Sequence, residues 1–97
     1  MKFLIEWEMS ESRSDAEQAR ILALFAKWEP PIELSNWSGF VDGSGGFAIA
    51  EAVDADALAR VTNPWTPWFR FSIRAVQPIE QTAVCMQEAV DFRRSIT

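Results

Sequence analysis

The groups in this chain able to do chemistry are the carboxylates of Glu6, Glu8 and Glu51 and the guanidinium groups of Arg70 and Arg74. A carboxylate enclosed in apolar surroundings has its pKa raised and becomes a general base, whereas a neighbouring arginine pulls it back down. Both arginines are expected on the same sheet surface as the glutamates. The pattern therefore favours structural ion pairs, or a clamp for an anionic ligand, over proton abstraction. Other chemistries lack their groups. The chain has no histidine, which removes the commonest general base, the usual haem ligand and nearly every transition-metal site. Cys85 is the sole cysteine, so neither a Cys–His nucleophile nor an intrachain disulfide can form. It falls in a C-terminal helix and reads as a small packing residue. No GxSxG elbow is present. Gly43, Gly45 and Gly46 lie between two strand-like runs with no Lys-Ser/Thr after them, so they read as a hairpin turn rather than a phosphate loop. No catalytic residue, metal or cofactor is expected.

The elements that must position the charged groups follow from periodicity. Phe3 to Met9 sets Phe3, Ile5, Trp7 and Met9 against Leu4, Glu6 and Glu8, a period of two that predicts a strand. Ser14, with Glu17 three residues on, opens a helix carrying Ile21, Phe25 and Trp28 on one face, and Pro30-Pro31 stops it. Leu34 to Val41 and Phe47 to Val53 read as strands joined through Asp42-Gly43-Ser44-Gly45-Gly46. Asp54 caps a short helix that buries Ala57, Leu58 and Val61 and closes at Pro64. Phe69 to Val76 is a fourth strand. A last helix from Pro78 carries a stripe of Ile79, Ala83, Met86 and Val90. This β-α-β-β-α-β order plus a terminal helix predicts an α+β domain of ferredoxin-like topology, a four-stranded antiparallel sheet in the order four-one-three-two.

Side-chain parity then divides the sheet. Phe3, Ile5, Trp7 and Met9, with Ala48, Ala50 and Ala52 and with Phe69, Phe71 and Ile73, form a helix-facing side. The other side holds Leu4, Glu6 and Glu8; Phe47, Ile49 and Glu51; Trp68, Arg70, Ser72, Arg74 and Val76; and, if the second strand follows the same rule, Asn36, Ser38 and Phe40. Glu6 or Glu8 can pair there with Arg70 or Arg74 across adjacent strands. An apolar patch mixed with opposed charges calls for a partner. We expect a homodimer whose two sheets face each other. The enclosed surface is then either a ligand pocket lined by Glu6, Glu8, Asn36, Ser38, Glu51, Trp68, Arg70 and Arg74, or an interface closed by ion pairs. Of the tryptophans, Trp7 and Trp28 fall on core stripes and Trp37 stays open. Trp65 and Trp68, either side of Pro67, are candidates for ligand, interface or packing against the last helix.

Composition bounds the function classes. The 97 residues suffice for one domain, 1–97, with one core. A net charge of -5 with scattered basic residues repels a phosphate backbone, so nucleic-acid binding is not expected. No stretch approaches the length needed to cross a bilayer, and Glu6 and Glu8 interrupt the apolar start before a signal core forms. With its lone cysteine the chain reads as cytoplasmic.

The run Gly46-Phe47-Ala48-Ile49-Ala50-Glu51-Ala52, then Asp54-Ala55-Asp56-Ala57-Leu58, Pro64-Trp65, Phe69-Arg70-Phe71 and Val76-Gln77-Pro78-Ile79, resembles the bacterial domain-of-unknown-function 3303 family. The resemblance covers most of the chain beyond Glu33. It implies a dimeric α/β-barrel fold, shared with cofactor-independent monooxygenases, isomerases and ligand-sensing domains. That family has no established activity, so no site residue is carried over. The expected function is a non-enzymatic homodimeric module binding a small molecule or a partner protein. The alternative is a cofactor-independent monooxygenase or isomerase acting in the barrel pocket.

Overall fold

A computed structural model describes residues 1–96 of the chain. Four strands, β1 (Lys2–Met9), β2 (Leu34–Gly39), β3 (Gly45–Glu51) and β4 (Phe69–Val76), alternate with three helices, α1 (Asp15–Lys27), α2 (Ala55–Thr62) and α3 (Ile79–Ser95). The sheet order is β2-β3-β1-β4 and every pair is antiparallel. This is the ferredoxin-like arrangement expected from the element order. No helix among the described residues is long and apolar enough to cross a membrane.

The register bears out the parity of the central strands. Ile5 stands opposite Ala48 on one side and Ile73 on the other, and Trp7 opposite Gly46 and Phe71, so all of these share the helix-facing surface. On the other surface Glu6 is flanked by Phe47 and Ser72, and Leu4 by Ile49 and Arg74. Strand β2 departs from simple alternation. Ser35 faces Ile49 and Ser38 faces Phe47, so Asn36 and Trp37 together stand against Ala48 alone. This is a β-bulge, and Asn36 takes the left-handed conformation it requires, at φ 54°. The extra residue puts Leu34 opposite Ala50 and turns Trp37 towards the helices, while Ser38 and Phe40 stay with Phe47. Uninterrupted alternation would have put Leu34 and Ser38 on one face.

The helices start where their caps dictate. Ser14 Oγ accepts from the Glu17 backbone N–H at 3.2 Å, and Asp54 Oδ1 from that of Ala57 at 2.9 Å. The Glu17 carboxylate accepts a hydrogen bond from the Ser14 hydroxyl rather than from the Ser14 backbone N–H, so only the Ser14 half of the expected capping box forms. In the hairpin, Asp42 accepts from the Ser44 N–H and hydroxyl and Gly43 adopts φ 77°, the turn that the glycine-rich run requires. These two hydrogen bonds from Ser44 hold the Asp42 carboxyl below its ordinary pKa.

The closed core lies under α2, where Leu58 and Val61 pack on Ile5, Ala50 and Ala52. Helix α3 is different. It forms as expected, but none of its residues is buried; Ile79 and Met86 from its apolar stripe are exposed, and the molecule is drawn out to 61 Å in its long dimension against 26 and 20 Å in the others.

Candidate functional site

The charged residues of the open sheet face do not converge. Glu8 and Arg70 are cross-strand neighbours and form an ion pair at 3.4 Å, with both side chains about two-thirds exposed. Arg74 lies opposite Leu4 rather than a carboxylate, and neither it nor Glu6 makes an ion pair among the described residues. Glu51 sits opposite Lys2 and accepts a hydrogen bond from the N-terminal ammonium at 2.6 Å. That bond holds the Glu51 carboxyl below its ordinary pKa, with a smaller contribution from the charges of the ammonium and Lys2. Glu8 and Lys2 are six residues apart on β1, so these two charged groups are separated by roughly 20 Å along the strand. Glu51 lines a shallow cleft of about 140 Å³ together with Lys2, Glu33, Ser35 and Ile49. Asn36 and Ser38 are exposed on the edge strand, where the Ser38 hydroxyl donates to the Asn36 carbonyl. The Trp68 ring lies 6.1 Å from that of Trp65.

A concave site exists on the opposite side of the sheet. Beneath α1, on the helix-facing surface, lies a half-open cavity of about 240 Å³. Its floor is sheet: Ile5, Ala48, Phe69 and Phe71. Its walls are Trp7, Phe25, Trp28, Trp37 and Trp65, completed by Ile21, Leu22, Leu34 and Val61. None of these side chains carries a carboxylate, amine or hydroxyl. Three of the ring pairs meet edge to face, and Trp7–Trp37, Phe25–Trp28 and Phe25–Trp65 are tilted at 58°, 44° and 58°. Phe25 and Trp37 meet at 5.5 Å and 80°, Trp28 and Trp65 at 5.3 Å and 79°, and Trp28 and Trp37 at 6.4 Å and 83°. Such pairs are worth about 0.5–1.5 kcal/mol each beyond the area they bury.

Local chemistry explains how each ring reaches the cluster. Trp7 lies across Gly46, where a Cβ would collide with its Cζ2 and with the Ser38 carbonyl, so only glycine leaves room for the indole. The bulge at Asn36 delivers Trp37. Pro64 sits in the first positions of the 3-10 turn, Asn63–Trp65, that follows α2 and carries Trp65. Arg13 fastens the far end, donating from Nη2 to the Pro67 carbonyl at 3.0 Å and to Ser10 Oγ at 3.2 Å, while Ser10 donates through both N–H and Oγ to the Trp68 carbonyl. The Trp65 indole N–H is buried with no acceptor, an arrangement that costs about 1–3 kcal/mol.

The family model of a domain of unknown function (DUF3303) matches residues 1–90, nearly the whole chain. The chain belongs to that family. No curated protein matches this DUF3303 chain, so nothing beyond its own geometry assigns roles to its residues.

Trp7 on its strand stripe and Trp28 on its helix stripe are expected as core; both instead wall the cavity. The signal was present in the small side chain of Ala48 among large rings, but whether rings fill the space above an alanine or stand around it depends on their rotamers. Arg13 reaches the Pro67 carbonyl, 54 residues away in the chain, a contact with no local sequence signature.

Proposed function

We propose that this domain is a non-catalytic homodimer that binds a small apolar molecule in the cavity beneath α1. The observation that carries the binding reading is the lining itself: a concave, half-open space walled by rings and aliphatic side chains, the usual character of a small-molecule pocket. The same lining speaks against a monooxygenase or isomerase working in this cavity. Proton abstraction there requires a proton-accepting group within reach of the reacting carbon, and the lining side chains offer only indole N–H donors. The open sheet face, with Glu8 and Arg70 paired and Phe40 against Phe47, serves as interface in this reading.

Homodimerisation is supported by unpartnered apolar surface. Ile79, Val84, Met86 and Phe92 of α3 are all more than half exposed, and a helix of this length without tertiary packing is marginal in water. A second copy supplies the missing contacts without any other partner.

Sedimentation velocity tests assembly: the reading expects twice the monomer mass, with Met86→Lys shifting the population towards monomer and Arg74→Ala weakening association. Binding is tested with N-phenylnaphthylamine, a neutral dye whose fluorescence rises in apolar surroundings. A monomer that leaves the dye dim overturns both halves of the reading.

A further inference from the structure

We infer that the ligand of this cavity is an uncharged, flat molecule with two fused aromatic rings; the inference rests on the binding reading above and specifies its chemistry. Size sets the first limit. A dry cavity of about 150 Å³ lined by apolar side chains holds benzene, and the cavity beneath α1 is about 240 Å³. Adding a second fused ring enlarges benzene by about half, which uses the extra volume at a similar packing fraction.

Charge sets the second. Aromatic walls attract quaternary ammonium ions through cation–π contacts. Here, however, no lining side chain carries a countercharge, so cation–π attraction alone has to offset the hydration an ion gives up. A neutral ligand surrenders nothing comparable.

Shape comes from the ring angles. Trp28 stands at 83° to Trp37 and 79° to Trp65, and Phe25 at 80° to Trp37. Neighbouring walls therefore present a face and then an edge, so a planar π system can stack on one while meeting the other edge-on. Trp37 and Phe25 are 43% and 47% exposed, and covering them adds apolar burial to the driving force.

The test uses the full chain and three probes of known chemistry: naphthalene, cyclohexane and tetramethylammonium. Thermal unfolding is followed by circular dichroism. Naphthalene at tenfold over its Kd is expected to raise the midpoint by about 7 °C, with cyclohexane and tetramethylammonium producing smaller shifts. Trp37→Ala, a change at a half-exposed wall that leaves the closed core intact, weakens naphthalene binding about tenfold, and Ala48→Leu fills the floor and abolishes it. A larger shift with cyclohexane or tetramethylammonium overturns the ligand class while leaving the cavity a binding site. No shift with any probe overturns both. A naphthalene shift unchanged in both variants places binding elsewhere and overturns the inference.

Discussion

Helices α1 and α2 lie on the same side of the same sheet and meet it in opposite ways. Both open on a side-chain cap, Ser14 and Asp54. Yet the eight residues of α2 include three that are buried, Leu58, Val61 and Thr62, whereas the thirteen of α1 bury Ile21 alone. The difference lies in what each meets. Under α2 the sheet presents the methyl groups of Ala50 and Ala52, and aliphatic side chains close onto them. Under α1 the floor at Ala48 is just as small, but the surrounding positions hold Trp7, Trp28, Trp37 and Phe25. Rings that prefer edge-to-face contact buttress one another around the alanine instead of filling the space above it. Small residues permit close approach only where the neighbours are also small. The same device yields a packed core at one end and a cavity at the other.

Substitutions can break this comparison or sharpen it. The largest effect belongs to the closed half: Leu58→Ala should cost about 3 kcal/mol in urea unfolding, while Leu22→Ala, at an exposed wall position, should cost under about 0.5 kcal/mol. A matched pair on β3 is more discriminating. Ala50→Leu overpacks a fully buried position and should destabilise by about 2 kcal/mol, whereas Ala48→Leu has a cavity to enter and should be neutral or slightly stabilising. Equal losses at the two alanines would show that the two halves are packed alike. Next is the latch that fixes the Trp65 end. Arg13→Ala removes hydrogen bonds to Ser10 and Pro67 and should lower stability by about 1–1.5 kcal/mol, with a changed near-ultraviolet circular dichroism signal from the displaced indoles.

The smallest effect is on the opposite face. The folded Glu51 carboxyl is held below its ordinary pKa, so its contribution is present above the unfolded value and is lost as pH falls through the folded one. The group is exposed, so Glu51→Gln should flatten acid unfolding only slightly, measured as the difference in midpoint between neutral and acidic pH. A strong effect would mean that this face is more enclosed than the single chain makes it.

The strands were legible because their periodicity is local. Phe3, Ile5, Trp7 and Met9 identify the helix-facing side of β1 with no knowledge of its partners, and the three alanines do the same for β3. The hairpin was legible from Asp42 to Gly46, and both caps from Ser14 and Asp54. The faces of strand β2 were legible only conditionally because a bulge is not periodic: nothing in Leu34-Ser35-Asn36-Trp37 marks which residue will be extra until the strand is laid against Ala48. The pairing of Glu8 with Arg70 was among the combinations parity allowed, and register selected it while leaving Arg74 beside Leu4. Helix α3 was legible as a helix, but its exposure was not, since an apolar stripe reports that a partner is needed and not where it lies.

Alternation, caps and turn residues by themselves determined the element order and which side of each central strand is greasy, because each depends on neighbours in the chain. Only the tertiary structure decided that the aromatic half of that side stays open, since a cavity depends on how rings from β1, α1, β2 and the turn after α2 meet in space. Their angles, and the slack left above Ala48, are properties of the assembled packing and of no single stretch of residues.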